Sequence, residues 1–259
     1  MDNRYFVESL RRGLQVLEAF SEKDHSLTLT EISSAVEMNK STAFRFVYTL
    51  ENLGYLERDP ETKRYRPGLK VLSLGFVALN SLELAQIARP YLKAMSKQCG
   101  ETTNMTVRDG DQIVYVARNK TQQVISVNLQ LGSRLPVHCT SMGKALLIDF
   151  SREELWQLLG EGPYPVMGPN TITTLDGLAA ELEQVQRRGY AINDEELAAG
   201  LRSVAAPVRG RQSQVAAAIN ISIPSARASR QEMEQSLAVM ALETANEISL
   251  ALGAKLNTV

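Results

Sequence analysis

At 259 residues, with 44% hydrophobic content and a formal net charge of −1, the chain has the size of two modest globular domains. No apolar run approaches the roughly 20 residues of a membrane span. The near-neutral charge argues against indiscriminate coating of nucleic acid, so any DNA contact has to be a focused patch. Cys99 and Cys139 stand far apart, and the start at Met1-Asp2-Asn3-Arg4-Tyr5 lacks the apolar core of a signal peptide. We therefore expect reduced thiols, no membrane association and a cytoplasmic protein.

Val7, Leu10, Leu14 and Leu17 recur at three- and four-residue steps, which predicts a supporting helix over residues 8–21 with Arg11 and Arg12 on its outer side. Thr28 and Glu31 have capping-box spacing ahead of Ile32, Ala35 and Val36, so a helix of about two turns follows. Glu37-Met38-Asn39 reads as a tight connection. Asn39 then caps a helix that runs from Lys40 to Gly54, where glycine supplies the left-handed stop. Ala43, Val47 and Leu50 form its buried stripe. Ser41, Arg45, Tyr48 and Asn52 form the opposite stripe, with Thr42 and Thr49 beside it, and no acid interrupts them. Hydroxyls, a phenol, an amide and a guanidinium are the groups that pair with phosphates and base edges. Helix, short turn and polar-faced helix make a helix-turn-helix, whose second helix reads the major groove.

Tyr55–Arg58 and Lys63–Arg66 flank Asp59-Pro60-Glu61-Thr62 and predict a hairpin, or wing. Arg58, Lys63, Arg64 and Arg66 are expected to point from it toward the phosphate backbone. Residues 1–67 carry no net positive charge, but residues 38–50 and 62–66 hold only basic charges. The expected DNA contacts are Lys40, Ser41, Thr42, Arg45, Tyr48, Thr49, Arg58, Lys63, Arg64 and Arg66. A winged helix serving protein interaction, or a small-molecule-binding module without specific DNA contact, is the alternative.

Leu69–Gln98 is rich in Leu and Ala and predicts two helices, about 69–80 and 83–98, with Pro90 as an interior break. Val71, Leu72, Leu74, Phe76 and Leu79 spread round more than one face of the first, which must pack on something else. From Glu101 the period changes to two. Thr102–Arg108 and Gln112–Ala117 alternate around Asp109-Gly110 as a hairpin, and Val124–Val127 reads as a further strand. Leu135-Pro136-Val137 leads to Thr140, the expected cap of a helix reaching about Phe150. A helix from Ser151 to about Leu159, a loop over Gly160–Asn170 and an amphipathic helix over Leu175–Arg188 follow. Strands near Ala191-Ile192, Ser203–Val208 and Val215–Ile223 precede a last helix from about Ser229 to Leu252. The fold class is α+β, with helices packed to one side of a mainly antiparallel sheet.

With these segments in place, the chain resembles the IclR family of bacterial transcription regulators. The resemblance rests on Ser9–Leu14 with Val16-Leu17, Ser41–Arg45, Leu50–Leu56, Tyr65–Gly68, Cys139–Leu146, and Gly189-Tyr190 through Gly200–Ser203. It implies a winged helix-turn-helix over 1–68, a linker helix over 69–82 and a GAF-like effector-binding domain over 83–259. It also implies homodimers or homotetramers on palindromic operator DNA. Cys139-Thr140-Ser141-Met142-Gly143 and Asp194-Glu195-Glu196-Leu197 look most similar to regulators of aromatic-acid catabolism, of the protocatechuate and β-ketoadipate type.

Chemistry on its own points to the same region. A helix opening at Thr140 offers free N–H groups and a positive dipole end to a small carboxylate, unless Thr140 merely caps it. On Val215–Ile223, Ile219, Ile221 and Ile223 share one face, while Ala218, Asn220 and Ser222 share the other, facing either ligand or water. The family resemblance adds an effector pocket of Ser141, Met142, Asn193, Leu201, Ser203, Asn220 and Ser222, with Val124 and Val127 as apolar wall. Asn193 stands where some relatives have an acid, Ser203 where some have Cys, and Asn220 where Ser is common. Such amides and hydroxyls suit a small organic acid, taking its carboxylate and a ring hydroxyl without a fixed like charge.

An enzyme is not expected. His25 and His138 are the only histidines, and no nucleophile elbow, phosphate-binding loop or dinucleotide fingerprint is present. Asp194-Glu195-Glu196 reads as a solvated helix start. His138 and Cys139, adjacent and pointing apart if extended, do not make a metal site. No cofactor is expected.

Overall fold

The structure, a computed structural model, describes residues 5–21, 24–81, 83–121 and 129–255. It divides into two compact units, Met1–Ser81 and Leu82–Val259. The strand expected over Val124–Val127 lies outside the described residues.

The first unit contains α1 (Glu8–Glu18), α2 (Leu29–Ala35), α3 (Lys40–Asn52), β1 (Leu56–Arg58), β2 (Tyr65–Pro67) and α4 (Leu69–Ser81). Local capping chemistry sets its boundaries. Thr28 and Glu31 form the reciprocal capping box of α2. The Asn39 amide oxygen accepts from the Thr42 N–H at 2.9 Å to open α3. At the other end Gly54 has φ +80°. Its N–H donates to Glu51 and the next one, of Tyr55, to Leu50, the paired bonds of a Schellman stop. The Asp59 carboxylate accepts the Glu61 and Thr62 N–H groups and folds the wing, while Leu27 exchanges both backbone bonds with Tyr65.

The α1 helix corrects the expected burial. Its side chain in the core is Val16, backed by Leu17, whereas Leu10 and Leu14 are more than half exposed. The face of α1 toward α3 runs through Gly13, where an added Cβ would touch the Phe46 ring at 3.7 Å. Periodicity identified the helix but not which side α3 covers.

Replacing Thr28 with Ala should cost the first unit about 1 kcal/mol, the usual loss of an N-cap. Glu31 is held below the usual carboxylate range, first by the Thr28 N–H and hydroxyl and then by Arg64. A lowered folded pKa gives stability above the unfolded value that is lost as pH falls through the folded one. Thr28→Ala removes the hydroxyl but keeps the N–H, so it should flatten the acid limb of the unfolding curve in part; a steeper acid limb would refute the linkage.

The second unit contains α5 (Glu83–Cys99), β3 (Thr102–Asp109), β4 (Gln112–Asn119), β5 (Arg134–Pro136), α6 (Ser141–Leu146), α7 (Arg152–Leu159), α8 (Leu175–Arg188), β6 (Ala191–Asp194), β7 (Leu201–Arg209), β8 (Val215–Pro224), α9 (Arg230–Glu232) and α10 (Ala238–Ala251), with a π-helical turn over Met233–Leu237 before α10. The strands form one antiparallel sheet in the order β5-β4-β3-β8-β7-β6. Helices cover both of its faces, not one. The alternation in β8 sends Ile219, Ile221 and Ile223 into a core with α5 and α10, and Ala218 into a second core with α6 and α8. Helix α5 continues without a break across Pro90. That residue is exposed, and the packing face of Ala85, Ala88, Leu92 and Met95 lies elsewhere on the helix. The α6 helix is shorter than expected, closing at Leu146.

The β3–β4 pairing is irregular at one point. Asn104 pairs with Arg118 and Met105 with Ala117, but Thr106 pairs with Tyr115, so Val116 is a surplus residue in β4. Across such a bulge the in-out alternation is reset. Val116 and Ala117 both face the α5 core, while Tyr115 faces α6.

Candidate functional site

Two features stand out, one in each unit. In the first, α3 presents Lys40, Ser41, Phe44, Arg45, Tyr48, Thr49 and Asn52 to solvent while Ala43 and Val47 are fully buried. Thr42 is half-buried. The Thr49 hydroxyl and Asn52 amide donate to helix carbonyls at 2.8 and 2.7 Å, which fixes their rotamers. The Phe44 and Tyr48 rings lie 6.0 Å apart. Lys40 and Arg45 have no ion-pair partner among the described residues, so both cations are available to an external anion.

The wing is more committed than its sequence suggests. The Arg64 guanidinium donates to the Ser26 carbonyl at 2.6 Å and pairs with Glu31 at 2.9 Å, tying the wing to the start of α2. Arg66 pairs with Glu57 at 2.9 Å across the hairpin. The Arg58 guanidinium sits 5.5 Å over the Tyr65 ring. Lys63, at φ +58°, donates to the Pro60 carbonyl but remains exposed at the tip. Arg64 is thus a brace within the unit rather than an outward arm.

In the second unit, a cavity lies between the α6 face of the sheet and the segment after β6. It brings together Ser141, Met142, Asn193, Leu201, Ser203, Asn220 and Ser222, the seven expected positions that lie among the described residues. Val124 and Val127 lie outside them. All seven are buried. The Ser141 and Ser203 hydroxyls are 2.6 Å apart. The Asn193 amide donates to the Cys139 carbonyl at 2.9 Å and accepts from the Glu196 N–H at 3.0 Å. Asn220 accepts from the Asn104 amide at 2.8 Å. Ser222 lies opposite Ser203 on the neighbouring strand.

The cavity also includes Thr140, at the helix start singled out from sequence, and residues that sequence reasoning missed: Asn104, Tyr115, Arg118, Leu129 and Leu197. Simple alternation puts residues 115 and 118 on opposite faces; the bulge at Val116 puts both on this one. The Arg118 guanidinium lies 5.5 Å over the Tyr115 ring. Burial pushes the Tyr115 phenol well above its ordinary range, so it stays neutral. The α6 terminus offers less than anticipated, because the helix has six residues and the Thr140 hydroxyl already takes the Gly143 N–H at 3.0 Å.

The acids near this site are not a solvated helix start. Asp194 pairs with Arg202 at 2.6 Å, Glu195 accepts the Gly200 N–H at 2.8 Å, and Glu196 is buried against Lys144 at 2.6 Å. His138 bonds the Pro165 carbonyl at 3.1 Å and leans on the Tyr164 ring. Burial drives the Cys139 thiol up to about 12, the reverse of a reactive or ligating cysteine. No group of three metal-ligating side chains gathers among the described residues. None of the described helices is long and apolar enough to cross a membrane.

Residues 9–60 match the IclR helix-turn-helix domain, and residues 76–250 match the family described as bacterial transcriptional regulator IclR C-terminal. The chain belongs to the IclR family. It is 40% identical over 231 residues to the Pca regulon regulatory protein of Pseudomonas putida, covering 89% of this chain and 79% of that one. The crystal structure of a transcriptional regulator from Rhodococcus sp. RHA1 superposes with a TM-score of 0.83 at 36% identity, over 95% of this chain and 98% of that one. An IclR homologue from Microbacterium hydrocarbonoxydans, crystallised with 4-hydroxybenzoate, superposes at 0.82 with 26% identity, over 95% and 99% of the two chains. Membership accounts for both features: an N-terminal winged helix that binds DNA and a C-terminal effector domain. This IclR-family protein is a transcription regulator, not an enzyme.

Proposed function

We propose that this regulator controls a catabolic operon by reading a palindromic operator through α3 and sensing a small organic acid, most simply an aromatic one, in the cavity of the second unit. The observation that carries the effector reading is a buried wall of hydroxyls and amides, with apolar Met142 and Leu201, into which no described carboxylate projects. Such a lining accepts an anion without repulsion. The similarity to a Pca regulon regulator and to a homologue holding 4-hydroxybenzoate supports the aromatic class.

The binding unit on DNA is a homodimer, or a pair of them. The first unit leaves Leu10, Leu14, Leu69, Leu72, Leu74 and Val77 exposed, an amount of apolar surface that a second copy would cover. Two copies also supply the two recognition helices that a palindrome requires. Inside the effector domain the walls lie close, with the Ser141 and Ser203 hydroxyls in hydrogen-bond contact across it. A ring-sized ligand must part Ser141 from Ser203 as it enters. The regulator then responds through the difference in affinity between two wall positions, carried by α4 to the spacing of the recognition helices.

Operator binding tests the DNA half. Arg45→Ala should weaken specific binding by about 1–3 kcal/mol if its guanidinium takes a base edge in two bonds. Lys63→Ala should instead lower affinity for all sequences and reduce the salt slope by about one. Footprints unchanged by Arg45→Ala would refute the groove assignment. Calorimetric titration with hydroxybenzoates, protocatechuate, β-ketoadipate, phenylpropanoids and glyoxylate tests the effector half, and silence toward all of them would reject the small-acid reading.

A further inference from the structure

The polar groups of the cavity nearly all satisfy one another, and the exceptions carry information. Ser141 is bonded to Ser203, Asn193 to Cys139 and Glu196, and Asn220 to Asn104. Three buried atoms have no partner there: Nε and Nη1 of Arg118 and Oδ1 of Asn104. They belong to residues directly opposite one another on β4 and β3. Two are donors on a cation and one is a neutral acceptor.

A guanidinium with enclosed, unpaired N–H groups is costly, because its charge and its donors are both desolvated. It stays charged all the same, since arginine does not deprotonate in proteins. Among the described residues lining the cavity there is no carboxylate to neutralise it, and the nearest titratable group, Tyr115, is a neutral phenol beneath its face. Elsewhere in this unit Arg202, Arg209 and Arg188 each have an acid within 2.6–2.8 Å. Arg118 has none among the described residues, and unlike the solvent-exposed Arg108 on the same face its Nε and Nη1 are enclosed.

The geometry points to Arg118 as the counter-ion of the effector: the ligand's carboxylate accepts from an enclosed N–H of the guanidinium, and a hydroxyl on the same ligand donates to Asn104 Oδ1. The assignment rests on the effector reading above and narrows it to hydroxy acids with a compact apolar body. A guanidinium N–H and a carboxylate oxygen match in charge and in hydrogen-bonding sense. The Asn104 amide gives its N–H to Asn220, so its free oxygen can only accept, and a ligand hydroxyl can supply the donor. The Tyr115 ring below the guanidinium, with Met142 and Leu201 across the cavity, supplies the apolar walls for a ring.

The test is calorimetric titration of the full chain with 4-hydroxybenzoate, 3,4-dihydroxybenzoate, benzoate and uncharged 4-hydroxybenzamide. The wild type should bind the hydroxy acids at least about tenfold tighter than the amide, one charge-assisted contact. Arg118→Gln should lose that preference while holding the amide within about threefold of wild type, a split that general damage to the fold would not produce. Arg118→Lys, which keeps the charge without the planar guanidinium, should fall between them. Benzoate should bind more weakly than the hydroxybenzoates. An acid no better than its amide in the wild type, or undiminished acid binding by Arg118→Gln, overturns the carboxylate assignment. Equal affinity for benzoate and 4-hydroxybenzoate overturns the hydroxyl at Asn104. If the wild type binds none of the four, the aromatic-acid reading itself fails, and Arg118 with it.

Discussion

Replacing Lys144 with Met should destabilise the effector domain by about 3–5 kcal/mol, the usual cost of stripping one partner from a buried ion pair. Lys144 is 1% exposed. Its ammonium lies 2.6 Å from Glu196 and 3.4 Å from Glu181, and Glu181 also holds Arg188 at 2.8 Å. These contacts join α6, α8 and the segment after β6. Methionine fills much the same volume, so the loss is electrostatic rather than a cavity. What remains is a buried carboxylate whose second oxygen already has no partner among the described residues. Burial pushes Glu196 above the ordinary carboxylate range, and Lys144 opposes that shift. Without the ammonium the folded-state pKa rises further. A raised folded pKa penalises folding above it and not below the unfolded value, so the deficit should be full at neutral pH and shrink on acidification. Adding Glu196→Gln to the variant should recover a large part of it. Denaturant midpoints of the three proteins measure this, and a Lys144→Met midpoint equal to wild type would defeat the argument.

Gly143→Ala should be of comparable weight, for a steric reason. A Cβ there would sit 2.2 Å from the Val137 carbonyl oxygen, 2.5 Å from its Cα and 2.6 Å from the Thr140 hydroxyl. Two of these are backbone atoms and cannot turn aside. Overpacking typically costs about 1–3 kcal/mol, and contacts this short lie at the upper end. Because α6 must lift away from residues 137–140, Ser141 should leave Ser203, and effector affinity should drop even in molecules that stay folded. Gly75→Ala is the internal control. Nothing lies within 4 Å of its added methyl, and the substitution should be neutral or mildly stabilising within α4. Melting curves that rank the two alanines equally would show that the contact at Gly143 is not the cause.

What the sequence disclosed follows the range of the interactions involved. Asn39, Thr28 with Glu31, Ser151 with Glu154 and Gly54 marked helix ends because a cap is satisfied within four residues of itself. The two faces of β8 were readable because alternation is a local period. Contacts between distant residues were not readable. Glu196 sits in an acidic run that looks solvated, and its partner lies 52 residues away. Arg64 looks like one more basic residue of a wing until Ser26 and Glu31 are brought to it. The apolar spacing of α1 fits a core face, yet Leu10 and Leu14 remain uncovered within the single chain. Most of the expected effector positions do converge, but Arg118 was hidden by a bulge that shifts its side of the sheet by one position.

That bulge gives β4 a spare residue that its neighbours lack. Removing the single codon for Val116 would restore regular pleating and leave Tyr115 and Arg118 on the cavity side and Ala117 toward α5. Inserting a residue there would instead drive Arg118, or Tyr115, among Leu92 and Met95. Substitutions at Val116 that keep its bulk should be tolerated, whereas a one-residue insertion should behave like the loss of the whole ligand chamber.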